Sequence, residues 1–176
     1  MKYIKLLLII IVYSLLCFQT YNKVKVNSIS LSTKIGSVIQ KDTHKEDIIG
    51  NIIIKKIGIN QKLYKIDSTE NTVDRNITIL KGSDLFDEDN ALTIIAAHSG
   101  TGPIAYFKDL DKLKQNDEIE IQYKDQNYTY IVKDIWNTKK TGSINVPKNN
   151  NKQLVLTTCS PNKNNYQLII NSTLKE

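Results

Sequence analysis

Seven short segments rich in β-branched and aromatic residues, separated by turn-forming residues, constrain the fold of this chain most strongly. In one of them Ile119, Ile121 and Tyr123 alternate with polar residues, and the following Lys124-Asp125-Gln126-Asn127 predicts a hairpin. The predicted strands span residues 51–59, 77–80, 91–97, 118–123, 128–135, 153–158 and 166–172. Many short strands and little helix predict a mainly β domain, and the periodicity fits a closed barrel as well as a sandwich.

Two further segments interrupt the strand pattern. Pro103 is favourable in the first turn of a helix, and Ile104, Phe107, Leu110 and Leu113 follow at a three-residue spacing, which predicts one short helix. Residues 137–152 predict a long loop, and long loops inside compact domains are often functional.

The N-terminal part of the chain predicts a membrane segment. Residues 6–18 are apolar apart from Ser14, and lysines precede them, as in a signal peptide or a short anchor. No Ala-x-Ala-like cleavage site follows closely, which favours an uncleaved anchor over residues 1–21. Residues 22–47 are polar and lack periodicity, which predicts a linker, and a single domain follows over residues 48–176.

The charge distribution argues against a nucleic-acid-binding protein. The net charge is +6 and the chain has 9 tyrosines, but its lysines are scattered and interleaved with acidic residues rather than clustered in a block. A modest positive field suits an enzyme that works among anionic lipid headgroups and wall polymers.

A cysteine and a histidine each end an apolar strand, where a side chain can meet a substrate. Cys159 follows the strand 153–158, and because the other cysteine, Cys17, lies in the N-terminal apolar run, Cys159 is expected to be a free thiol. His98 follows the strand 91–97. A thiol nucleophile needs a base or cationic partner, which an imidazole supplies. The alternatives are a buried cysteine that packs as a small hydrophobe and a core histidine satisfied by the next turn.

These residues resemble the sortases, the cysteine transpeptidases of Gram-positive cell surfaces, over residues 48–174. The family signature Thr-Leu-x-Thr-Cys appears as Val155-Leu156-Thr157-Thr158-Cys159, and the strand-end histidine of the family matches His98. The resemblance implies a closed β-barrel of about eight strands with one or two short helices, preceded by a membrane segment.

The resemblance also implies an activity. A sortase cleaves an LPXTG-like C-terminal sorting signal of a secreted protein, forms a thioester on its cysteine, here Cys159, and transfers the acyl group to an amine such as a peptidoglycan precursor or a pilin lysine. His98 would serve as the acid and base, with no cofactor, in a domain facing outward from the membrane.

One departure from the family concerns its catalytic arginine, which lies on the strand after the cysteine. The only arginine of this chain, Arg75, precedes the histidine strand and does not match. Gln167 occupies the matching position and keeps a hydrogen-bond donor without the charge. Lys163, in the turn between the two strands, is the alternative cation.

The resemblance also suggests where the substrate binds and whether calcium does. Candidate residues for the substrate groove are the floor and strand-end residues Ala96, Ala97 and Thr158 and the loop residues Ile144, Val146 and Pro147. Some sortases bind calcium between an acidic loop and an acid in the long loop; here the first half is present as Asp84, Asp87, Glu88 and Asp89. No acidic residue occurs between Asp134 and Cys159, so no functional metal is expected.

Two other functional classes stay open at this level. A Cys/His peptidase would share the cysteine and histidine and hydrolyse its substrate without transfer to an amine. A catalytically weak, sortase-shaped binding module is the alternative that the missing arginine suggests. The sorting motif, the acceptor amine and the sortase subclass are not specified by the sequence.

Overall fold

The computed structural model describes residues 47–175. The predicted anchor over residues 1–21 and almost all of the predicted linker, residues 22–46, lie outside the described residues. Within residues 47–175, no helix has the length and apolar character needed to cross a membrane.

Eight strands form one sheet that curls into a barrel. Their bounds are β1 Ile48–Ile54, β2 Ile59–Tyr64, β3 Thr78–Ile79, β4 Leu92–Ala96, β5 Glu118–Tyr123, β6 Gln126–Lys139, β7 Gln153–Cys159 and β8 Tyr166–Leu174. Their order across the sheet is β2-β1-β5-β6-β8-β7-β4-β3. All neighbours are antiparallel except β4 and β7, which are parallel. The parallel pair matters for function because it brings the C-terminal ends of two strands to one edge.

The barrel is nearly closed, because its edge strands β2 and β3 contact each other. Asn71 bridges this seam with its side-chain amide. Its Nδ2 donates to the carbonyl of Ile66 (3.1 Å) and to the carbonyl of Ile79 (2.9 Å), and its Oδ1 accepts from the backbone N–H of Ile79 (2.8 Å). One side chain thus satisfies the edge of β3, which a further strand would otherwise pair.

Apolar side chains fill the barrel on the inner face of the sheet. The largest fully buried ones include Tyr130, Phe86 and Phe107. A second, smaller cluster, formed by Val146, Val155 and Ile169, covers the outer face of β7 and β8. Because both faces of these strands are covered, β7 is a continuous buried run up to its last residue rather than an alternating one.

The predicted strand over residues 51–59 is wrong in its second half. A 3-10 turn over Lys55–Ile57 ends β1, and Gly58 follows in the left-handed conformation (φ 67°). The chain then reverses into β2, which the sequence analysis did not identify and which pairs antiparallel with β1. Gly58 permits this reversal because it has no Cβ to oppose a positive φ.

The predicted helix after Pro103 is also wrong in type. The segment consists of turns and a single 3-10 turn over Leu110–Lys112, and its backbone bonds, such as Leu110 N–H to the carbonyl of Phe107, span three residues. A strict three-residue spacing is the 3-10 period, whereas an α-helix repeats at 3.6. Phe107, Leu110 and Leu113 are nonetheless all buried against the barrel.

The hairpin between β5 and β6 is confirmed and tighter than expected. Lys124 and Asp125 alone form the turn, both with positive φ (48° and 59°). At its C-terminal end, β6 continues to Lys139, so the loop predicted over residues 137–152 begins only at Lys140. This extension places Lys140 directly beside the candidate site.

Candidate active site

The parallel pairing of β4 and β7 brings the two predicted functional residues to the same edge of the sheet. Ala96 pairs with Thr157, and His98 and Cys159 each lie two residues further along. The Thr158 hydroxyl donates to the carbonyl of Ala97 (2.7 Å), and the Ser99 hydroxyl donates to the carbonyl of Cys159 (3.0 Å). These cross-connections hold the backbones of the two strand ends side by side.

Cys159 is a free, exposed thiol. The ammonium of Lys140 lies 2.9 Å from its sulfur. Lys140 is placed there by its own backbone, because its N–H donates to the carbonyl of Asn165 (3.0 Å) in the turn between β7 and β8. The Lys140 side chain thus places a positive charge in direct contact with the thiol.

His98 is half-exposed, and its backbone carbonyl accepts from the N–H of Phe107 (2.9 Å). Its ring Nε2 lies 3.4 Å from a carboxylate oxygen of Asp74, which is largely exposed. Among the described residues, no hydrogen bond joins the His98 ring to the Cys159 sulfur; each has another partner. Hydrogen bonds between catalytic groups often tighten only when substrate is bound.

A groove of about 450 Å³ opens on the outer face of the sheet beside Cys159. Its floor consists of Ile94, Ala96, Thr157 and Gln167. Its walls consist of Leu80, Lys81, Gly82 and Ser83 on one side and Gly142, Ser143 and Ile144 on the other. A groove of this size, formed by strands and a loop, can hold a short extended peptide segment.

The structure separates the predicted groove residues by the face of the sheet on which they lie. Ala96 and Ile144 line the groove. Ala97 and Thr158 are buried, and because side chains alternate along a strand they lie on the opposite face to their groove-lining neighbours. Val146 packs against the outer face of the sheet in the second apolar cluster.

Pro147, the last of the predicted loop residues, is exposed. Its carbonyl accepts a hydrogen bond from the side chain of Gln153 (3.1 Å). This bond ties the loop to the start of β7, at the far end of that strand from Cys159.

The two residues proposed to replace the family arginine differ in their surroundings. Gln167 pairs directly with Cys159 across β7 and β8, which confirms the expected register, and its side chain lines the groove. Within residues 47–175, the Gln167 amide forms no side-chain hydrogen bond, so its donors are available to a ligand. The Lys163 ammonium instead lies 5.4 Å from the ring centroid of Tyr166. Arg75 pairs with Glu70 (2.7 Å).

The acidic loop before β4 is paired with lysines. Lys148 Nζ lies 2.7 Å from Asp84, and Lys124 Nζ lies 2.7 Å from Asp87. The hydrogen bond from Lys148 holds the pKa of Asp84 below its usual value, and the bond from Lys124 does the same for the pKa of Asp87. In the part of the chain that the structure describes, no group of three or more His, Cys, Asp or Glu residues is arranged to hold a metal ion.

Two residues of the site were missed from the sequence. Lys140 fell inside the segment predicted as loop, and no motif marks it. Thr157 lines the groove, and its hydroxyl is buried without a hydrogen-bond partner. Thr157 could have been found, because a residue two positions before Cys159 on a strand shares its face.

The chain thus forms a nearly closed β-barrel in which an exposed cysteine and a histidine lie at the ends of two parallel strands, beside a peptide-sized groove. A family model described as "Sortase domain" matches residues 52–175. The chain therefore belongs to the sortase domain family, whose members are cysteine transpeptidases.

Solved structures agree with this assignment. The chain is similar to sortase C1 from Streptococcus agalactiae, with 29% identity and a TM-score of 0.65 over 74% of this chain and 68% of that one. It is also similar to a pilus-related sortase C of Group B Streptococcus (27% identity, TM-score 0.63, 74% and 68% covered). A lid mutant of sortase A from Corynebacterium diphtheriae matches with 25% identity and a TM-score of 0.64 over 73% and 70%. No curated protein matches the chain.

Proposed function

We propose that this chain is a cell-surface cysteine transpeptidase that cleaves an LPXTG-like sorting signal of secreted proteins and transfers the acyl group to an amine. The acceptor would be a peptidoglycan precursor or a pilin lysine, and no nucleic acid or cofactor is involved. The observation that carries the proposal is the exposed Cys159 thiol beside the peptide-sized groove, next to the strand end that bears His98.

The chemistry follows from the residues at the strand ends. The Cys159 thiolate attacks the carbonyl carbon of the scissile bond, and the tetrahedral intermediate collapses to a thioester as the amine leaves. Protonated His98 gives its proton to that amine and then, as the neutral base, takes one from the incoming amine. The Asp74 carboxylate lies 3.4 Å from the ring Nε2 and can accept a hydrogen bond from it, which would orient the imidazole.

Gln167 serves in this proposal as a neutral hydrogen-bond donor to the substrate carbonyl. Its amide faces the groove from the residue directly paired with Cys159 and has no competing side-chain partner among residues 47–175. A peptide laid in the groove would satisfy this amide.

The membrane location is a separate part of the proposal. The apolar run over residues 6–18 and the polar stretch after it support a single-pass anchor with the domain outside. Full-length protein should fractionate with membranes and resist extraction by salt, whereas a shortened chain that starts near Ile48 should be soluble and folded. Recovery of a secreted form cut after residue 18 would contradict the anchor.

The enzymatic proposal is tested with a library of fluorescent peptides that carry LPXTG-like signals, with and without an amine acceptor such as triglycine. Mass spectrometry of the protein should detect a thioester on Cys159, and the amine should shift the product mass. Cys159→Ala should abolish the thioester, and His98→Ala should slow cleavage at least 10²-fold, the lower end for a positioned acid or base. Cleavage by Cys159→Ala at the parent rate would refute the proposal, and hydrolysis alone in the presence of amine would indicate a peptidase.

A further inference from the structure

The cation in contact with the Cys159 sulfur is not any of the residues considered from the family pattern. Lys140 lies 2.9 Å from that sulfur, whereas Lys163 lies over Tyr166 and Arg75 pairs with Glu70. Lys140 is exposed, and among the described residues it forms no ion pair with a carboxylate. Its charge is therefore not neutralised by another side chain and is available to the reacting atoms.

The position of Lys140 is set by the register of the sheet rather than by a chance side-chain conformation. Thr138 pairs with Gln167, and Gln167 pairs with Cys159, so these three residues form one row across the sheet. Lys140 follows Thr138 by two residues and thus projects from the same face. Its backbone bond to Asn165 continues the β6–β8 pairing by one step.

We propose that Lys140 is a catalytic residue of this sortase, and that it supplies the positive charge that the family draws from an arginine on the following strand; this inference rests on the proposed function. Before attack, its ammonium pairs with the Cys159 thiolate. As the C–S bond forms, the π electrons of the substrate carbonyl move to its oxygen, and the ammonium donates a hydrogen bond to that oxyanion. Lys140 keeps its protons throughout, and the leaving amine receives its proton from His98.

The oxyanion lies within reach because of simple geometry. In the tetrahedral intermediate, the oxygen and the sulfur are bonded to the same carbon atom. A cation already in contact with the sulfur needs only a small side-chain movement to contact the oxygen, and the lysine side chain has the rotatable bonds for it. Gln167 then donates a neutral hydrogen bond to the same carbonyl, and Lys140, which directly follows β6, supplies the positive charge.

The test compares lysine variants of the full-length chain. Lys140→Met removes the charge and keeps most of the aliphatic length, and Lys140→Arg restores the charge. Lys139→Met is the matched control, because Lys139 is the adjacent residue, is also exposed and projects from the other face of β6. Thermal unfolding of each variant checks that the fold is retained.

The first measurement is the rate of thioester formation with the peptide that acylates the parent fastest in the library. Lys140→Met should slow acylation by about 10²-fold, the usual loss for one oxyanion donor, with Lys140→Arg recovering most of the rate and Lys139→Met close to the parent. Parent-like acylation by Lys140→Met would overturn the proposal, as would equal losses in Lys140→Met and Lys139→Met.

The second measurement needs no substrate. Iodoacetate is anionic and iodoacetamide is neutral, and the ratio of their alkylation rates at Cys159, read from the mass of the peptide containing it, reports positive charge at the sulfur. Removing Lys140 should lower this ratio roughly three- to fivefold, as expected for one charge a few ångströms away in a wet site. An unchanged ratio in Lys140→Met would overturn the contact itself.

The two measurements also separate this inference from the proposed function. If no peptide forms a thioester on the parent protein, the proposed function fails, and the alkylation ratio still decides whether Lys140 pairs with the thiolate. If Cys159→Ala abolishes acylation while Lys140→Met does not, the function stands and the role of Lys140 is refuted.

Discussion

Asn71 should carry an unusually large share of the stability of the barrel for a partly exposed polar residue. Its amide makes hydrogen bonds to Ile66, two residues after the end of β2, and to Ile79 of β3. Ile79 is fully buried, so its N–H and carbonyl have poor access to water once the amide is removed. With each bond worth about 0.5–1.5 kcal/mol and extra loss for groups left unpaired, Asn71→Ala should lower the free energy of unfolding by about 2–4 kcal/mol.

The assay is equilibrium urea unfolding of the shortened chain that starts near Ile48, followed by tryptophan fluorescence. The midpoint should fall with little change in slope, because the surface exposed on unfolding is nearly the same. Asn127→Ala, at an exposed position next to the β5–β6 turn, is the matched control and should change stability by less than about 0.5 kcal/mol. Asn71→Asp should recover little, because a carboxylate cannot donate to the two carbonyls. A loss below about 0.5 kcal/mol in Asn71→Ala would refute the idea that this side chain closes the seam.

Three further changes test the groove and the lysine-paired loop. Thr157→Val should raise the free energy of unfolding by about 1 kcal/mol, because it removes a buried hydroxyl without a partner; an unchanged free energy of unfolding would contradict this. Gln167→Ala should slow acylation by about ten- to a hundredfold, and Gln167→Arg should at least preserve it; two parent-like rates would remove Gln167 from the site. The pKa of Asp84 is held below its usual 3.8 by Lys148, so its stabilising effect is present above that pH and disappears as the pH falls through the lowered value. Asp84→Asn should therefore be less stable than the parent at pH 7 and nearly equal to it near pH 2, and a pH-independent difference would contradict the pairing.

The sequence specified the local elements of this fold better than the connections between them. β5 and the hairpin after it were predicted because Ile119, Ile121 and Tyr123 alternate and the turn residues follow at once. β2 was missed, because the reversal at Gly58 comes from one glycine in a stretch whose isoleucines fit a single strand equally well. The barrel, as opposed to a sandwich, came from the family resemblance, since alternation is the same in both.

In the candidate site, too, single residues were easier to identify from the sequence than the pairing that brings them together. Cys159 and His98 were identified because each ends an apolar strand and begins a turn. The parallel pairing of β4 with β7 brings them together over a sequence separation of 61 residues, and no local pattern encodes it. The predicted groove residues lie on opposite faces of the sheet because side chains alternate along a strand. Ala96 faces the groove and Ala97 faces the core, and the sequence alone does not show which face of the strand is which.

The face from which Lys140 projects is set by a β-bulge in β6, which local sequence patterns do not reveal. In β6, Tyr130 and Val132 point into the barrel, and a regular strand would send every later even-numbered residue, Lys140 included, to the same face. The β6–β8 register shifts between Val132 and Asp134, and this bulge turns the even-numbered side chains outward.

Polar contacts stabilise the strand at this shift. Asn171 donates to Asp134 (3.2 Å) and accepts from Gln153 (3.4 Å), so that residues of β6, β7 and β8 are linked just past the bulge. From there Trp136 packs against the outer apolar cluster, and two steps of alternation later Lys140 reaches the sulfur of Cys159. The position of the Lys140 ammonium beside the Cys159 sulfur is therefore a consequence of one inserted residue near the middle of β6. A search for site residues by motif alone would miss Lys140, because the cysteine motif lies on β7 whereas the position of Lys140 is set by the register of β6.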